Sequence, residues 1–90
     1  MDDLGYIKKL NKVAGNIKDY FKEVVIRGDG ISSFIFAAEG IYAVEIYMSE
    51  NGVKMEFWEN DEFNSTEREV DSYGEATNTV ISWIREKHEK

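Results

Sequence analysis

The side chains of this 90-residue chain that could do chemistry are mainly carboxylates: 18 Asp and Glu stand against 11 Lys and Arg, with one histidine and no cysteine. Without cysteine there is no disulfide, thiolate metal site or cysteine nucleophile. His88, two residues from the end of the sequence, is badly placed for a general base. Ser32, Ser33, Ser65 and Ser72 therefore have only that one imidazole to activate them. Glu56, Glu59, Asp61 and Glu62 offer oxygen ligands for a hard cation, but their spacing lacks the turn glycine of an EF-hand loop, so they read as a solvated acidic rim. The sequence thus predicts no catalytic residue, no metal and no cofactor, and a chain that is not an enzyme.

The formal charge is −7, and it is unevenly spread. Residues 1–22 are net basic, whereas Glu39 to Glu75 holds eleven acids against Lys54 and Arg68. Direct binding to nucleic acid is disfavoured, because that affinity comes mainly from cations displacing counterions. A basic partner suits such a field instead. Short, interrupted apolar runs and an opening Asp2-Asp3 predict neither a membrane span nor secretion, and hence a cytoplasmic protein. In that setting Arg27-Gly28-Asp29 reads as a turn rather than an integrin ligand, and Asn64-Ser65-Thr66 as an unused glycosylation pattern.

The elements that must position these groups are legible from periodicity. Leu4, Ile7, Leu10, Ala14, Ile17 and Phe21 recur at helical spacing after an Asp2 or Asp3 cap, with Tyr6, Val13 and Tyr20 broadening the stripe. This predicts a first helix ending near Phe21 or Lys22, with Gly15 marking either weak propensity or close packing against a sheet. Val24 to Ile26 is a β-branched run closed by a turn at Asp29-Gly30, and two more turns are expected at Glu39-Gly40 and Asn51-Gly52. An Asn51-Gly52 turn sets Glu50 opposite Val53, Tyr47 opposite Glu56 and Glu45 opposite Trp58; a Glu39-Gly40 turn sets Ile35 opposite Val44. Residues 60–71 turn polar and are read as a short edge strand or a loop. Ser72-Tyr73-Gly74-Glu75 fits a capping box for a closing helix that buries Ala76, Val80, Trp83 and Ile84.

The predicted fold is one α+β domain over residues 1–90, an antiparallel meander of four to five strands flanked by an N-terminal and a C-terminal helix. One sheet face, with Ile35, Val44, Ile46, Met55 and Phe57, is a core wall. The other carries Phe34, Phe36, Glu45, Tyr47, Lys54, Glu56 and Trp58. If both helices cover the first face, the second is a surface; if one helix lies on each, its aromatics are core. The charges at Glu45, Lys54 and Glu56 favour the first arrangement.

In size, acidity, absence of cysteine and clustering of acids from Glu39 to Glu75, the sequence resembles small acidic α+β antagonists. These are immunity proteins that neutralise bacterial toxins, and phage anti-CRISPR or other anti-defence proteins that mimic DNA. The resemblance implies a non-enzymatic inhibitor that occupies a basic, nucleic-acid-handling partner. Glu45, Glu56, Glu59, Asp61 and Glu62 would then supply charge, with Tyr47 and Trp58 as anchors. The alternative is an oligomerising or small-molecule-binding module that uses the aromatic second face, a homodimer through Phe34, Phe36 and Trp58 being its simplest form.

Overall fold

Helical spacing followed by strand alternation gives the element order helix, five strands, helix. The computed structural model describes residues 3–49, 52–59 and 65–89. Helix α1 (Asp3–Ile17) runs into a 3-10 turn (Lys18–Tyr20) and is followed by β1 (Glu23–Arg27). A second 3-10 turn (Gly30–Ser32) leads to β2 (Phe34–Glu39), then β3 (Tyr42–Ser49), β4 (Gly52–Glu59), β5 (Thr66–Val70) and α2 (Tyr73–His88). The strands form one antiparallel meander in the order β1-β2-β3-β4-β5. The polar stretch before α2 does contribute an edge strand.

Both helices lie on the same sheet face. Tyr6, Leu10, Val13 and Ile17 of α1 and Ala76, Val80 and Ile84 of α2 share one buried cluster with Ile35, Ala37, Val44, Ile46, Val53, Met55 and Phe57. Complete burial of a side chain such as Leu10, Ile46 or Ile84 is worth roughly 1.5–3 kcal/mol. Trp83 closes the far end of this layer, its ring 4.8 Å from Phe57 and 5.8 Å, edge-on, from Tyr42. Helix α2 starts where the capping residues place it, with Ser72 Oγ accepting a hydrogen bond from the Glu75 amide at 3.2 Å. Its last turn carries Arg85, Lys87 and His88, matching the negative end of the helix dipole. Tyr6 donates its hydroxyl hydrogen to the Ser33 carbonyl, tying α1 to the start of β2.

Four expectations are corrected. The buried line of α1 runs through Tyr6, Leu10, Val13 and Ile17, so Ile7 and Ala14 lie on its flanks rather than at its centre. Phe21 is buried but extended, since the helix has already tightened into the 3-10 turn before it. Gly15 serves no close packing: it is exposed, and a Cβ there would meet nothing within 4 Å.

The hairpin registers differ by two residues from those the turn dipeptides suggest. Ser49 pairs with Gly52, Tyr47 with Lys54, Glu45 with Glu56 and Ala43 with Trp58, so Gly52 is a strand residue; Asn51 lies outside the described residues. The reason for a glycine there is close approach, because a Cβ on Gly52, at φ 152°, would collide with the Val70 carbonyl oxygen on β5. In the same way Glu39 pairs with Tyr42, and Gly40, at φ 62°, takes the first turn position beside the exposed Ile41. A shift of two residues leaves every side chain on its expected face.

Opposite outcomes are expected for two glycine substitutions followed by chemical denaturation. Gly15→Ala should stabilise the protein by about 0.5–1 kcal/mol through helix propensity alone. Gly52→Ala should destabilise it by about 1–3 kcal/mol, because either the β4–β5 approach or the backbone conformation must yield.

Candidate functional site: the uncovered sheet face

Because α1 and α2 both occupy one face, the alternate residues of all five strands form a surface on the side away from both helices. Val25 and Arg27 come from β1, Phe34 and Phe36 from β2, Glu45 and Tyr47 from β3, Lys54, Glu56 and Trp58 from β4, and Glu67 and Glu69 from β5. Phe34, Phe36, Tyr47 and Trp58 are each half-buried there.

The register aligns charge across this surface. Glu45 is directly opposite Glu56, and Glu56 directly opposite Glu67, so carboxylates of three adjacent strands stand on one transverse line. Neighbouring strands are about 4.8 Å apart, and like charges set opposite each other in a sheet are destabilising. Polar partners offset part of that cost. Tyr47 donates its hydroxyl hydrogen to Glu56 Oε1 at 2.7 Å, and Ser65 Oγ donates to Glu56 Oε2 at 3.0 Å. Lys54 Nζ lies 3.5 Å from Glu67 Oε2. At the β1 end the Arg27 guanidinium sits 4.6 Å over the centre of the Phe36 ring, a cation–π contact.

Glu45 is the least compensated member of the line. Among the described residues no hydrogen bond or ion pair reaches its carboxylate. Its pKa is raised, first by burial and then by the charge of Glu56, with Arg27 pulling the other way. The Tyr47 hydroxyl is also pushed well up, by burial and then by its bond to Glu56, so it remains a donor at any physiological pH.

Beside Glu45 the surface is concave. A recess of about 320 Å³ is lined by Tyr6, Ser32, Ser33, Phe34, Glu45, Tyr47 and Glu56, with the 3-10 turn at Gly30–Ser32 as one wall. It joins residues from α1, that turn, β2, β3 and β4.

The residues singled out from sequence separate into three groups. Glu45, Tyr47, Glu56 and Trp58 share the open face, together with Phe34 and Phe36. Glu59 is on the helix side, where its Oε1 accepts from Lys87 Nζ at 3.0 Å and helps hold the end of α2. That contact raises the Lys87 pKa. Asp61 and Glu62 lie outside the described residues. Glu67 and Ser65 are additions, because their roles follow from β5 pairing with β4, and the polar sequence of β5 gave no register. His88 is exposed in the last turn of α2. Among the described residues no group of three or more His, Cys, Asp or Glu is placed to hold a metal ion, and no helix is long and apolar enough to cross a membrane. No family model matches the chain, and no match was found among curated proteins or solved structures.

The raised Glu45 pKa has a definite sign in stability. A carboxyl that binds its proton more tightly folded than unfolded loses stability as pH rises from its ordinary value of 4.5 through the raised one. Glu45→Gln should therefore be more stable than the native chain at neutral pH, by roughly 0.2–1 kcal/mol. The difference should vanish below about pH 4, where both side chains are neutral. Urea titrations of the two proteins at several pH values check this; a stability gap independent of pH would mean that Glu45 costs nothing as a charge.

Proposed function

We propose that this protein is a non-enzymatic binding protein whose uncovered sheet face occupies a basic, nucleic-acid-handling partner and blocks it. The observation that carries the reading is the line Glu45, Glu56, Glu67, in which three strands hold like charges in register on the face away from both helices. A sheet under selection for stability alone gains nothing from that alignment. A cationic groove built to hold phosphates would gain from it, since carboxylates can take the phosphate positions while the surrounding negative field speeds encounter. Phe34, Phe36, Tyr47 and Trp58 add the aromatic area that carries binding energy in protein interfaces. Among the described residues the face bears five carboxylates, counting Glu23 and Glu69, against Arg27 and Lys54.

Self-association through Phe34, Phe36 and Trp58 is the weaker reading, because two copies placed face to face would oppose their own carboxylate lines. Immunity against a toxin and antagonism of a defence enzyme require the same surface physics, and both fall within the proposal.

The test uses purified basic nucleic-acid-binding enzymes, chosen from toxin nucleases and defence nucleases, with binding measured by calorimetry and by competition with nucleic acid. A true partner should lose its nucleic acid when this chain is added. Its affinity should fall about tenfold or more between roughly 0.05 and 0.3 M salt, and again on replacing Glu67 and Glu69 by Lys. Binding that ignores both salt and charge reversal sinks the electrostatic mechanism, and light scattering showing a dimer dispersed by Trp58→Glu would transfer the face to self-association.

A further inference from the structure

Glu45, Glu56, Phe34 and Tyr47 meet in the recess at one end of the open face. At about 320 Å³ it lies at the lower limit of pockets that take a ligand, about 300 Å³, which suits one side chain rather than a folded segment. Its carboxylates retain acceptor positions. Each Glu56 oxygen accepts one hydrogen bond, from Tyr47 or from Ser65, and a carboxylate has about four acceptor positions in all. The Glu45 carboxylate receives no hydrogen bond among the described residues. Two acceptors thus converge on a cavity that also presents the rings of Phe34 and Tyr47.

The chain already shows how a cation uses this surface. Arg27 lays its guanidinium 4.6 Å over Phe36, close enough that its charge is felt at Glu45. Phe36 and Glu45 are cross-strand partners, so that assembly is a guanidinium, a phenyl ring and a carboxylate in a row. The recess repeats the last two components in Phe34 and the Glu45–Glu56 pair, and lacks the first.

We propose that the recess receives an arginine side chain of the basic partner, with the guanidinium bonded to Glu45 and Glu56 and its flat face against Phe34 or Tyr47. This rests on the reading of the open face as the partner-binding surface and names the group it recognises there. Arginine fits better than lysine because its planar fork can serve two carboxylates at once, stacks on an aromatic ring, and gives up hydration more easily than an ammonium. A bound guanidinium also relieves the Glu45–Glu56 repulsion that the empty sheet sustains.

N-acetyl-arginine methylamide is the probe, titrated into isotopically labelled protein and followed by NMR beside its lysine and citrulline counterparts. Saturable shifts are expected at Phe34, Glu45, Tyr47 and Glu56, with lysine weaker and citrulline, which keeps the shape but not the charge, without effect. Replacing Glu45 and Glu56 together by Gln should weaken arginine binding about tenfold or more. Replacing Glu86 and Glu89 by Gln, an equal loss of charge at the exposed end of α2 and away from the open face, should change it by no more than about twofold. Glu45→Gln alone, which removes a destabilising charge, gives an intact variant if the double one fails to fold. Equal losses in the two double variants, equal binding of arginine and lysine, or shifts spread over all acidic positions would overturn the recess. A failure here with salt-dependent partner binding intact removes the arginine pocket and leaves the function; arginine binding without any basic protein partner does the reverse.

Discussion

Leu10, Val13 and Ile17 of α1 and Val80 and Ile84 of α2 all reach one face of the sheet, and this one-sided burial is the constraint on which everything else depends. Its origin is dimensional. Five strands at about 4.8 Å spacing make a surface some 20 Å wide. Two helices side by side at an interaxial distance of about 8–10 Å, each about 10 Å across, cover that width. The described elements include no third layer, so the apolar alternation of β2, β3 and β4 is spent on the helices and the intervening positions are left to the surface. Glu45, Lys54 and Glu56 can be charged because of that partition; under a helix each would need a dedicated partner.

The partition into faces was readable in the sequence, because side-chain alternation has a period of two. The pairing within a face was not. Sliding β3 against β4 by two residues keeps Ile46 and Met55 inward and Glu45 and Glu56 outward, so the hydrophobic pattern is blind to it. The Asn51-Gly52 dipeptide pointed to the wrong one of the two registers because its glycine answers a different need, the approach of the Val70 carbonyl. Similarly, helical periodicity identified α1 but not its centre line, since Ile7 and Ala14 are apolar and sit just off the buried stripe. The cap at Ser72 was legible to the residue, being local chemistry.

The candidate site shows the same division. That Glu45, Tyr47, Glu56 and Trp58 share a face follows from alternation alone. That Glu45 faces Glu56, and that Glu67 and Ser65 extend the line, depends on register and on the pairing of a strand whose residues are nearly all polar. Glu59, grouped with these acids as a source of charge, stands apart from them by the same alternation: at the end of β4 its parity points it toward α2, where Lys87 meets it. Tertiary contacts between elements distant in sequence, such as that ion pair, leave no periodic trace.

The meander has an entropic consequence of its own. Each strand pairs only with its neighbours in sequence, so the sheet forms by closing short loops, whose cost rises slowly with length. The contacts of α2 with α1 and with the 3-10 turn that follows it join elements on either side of all five strands, and they require most of the chain to be gathered at once. The ordering cost of this fold is thus concentrated in one closure, that of the helical layer, while the carboxylate-bearing face is assembled from local pairings.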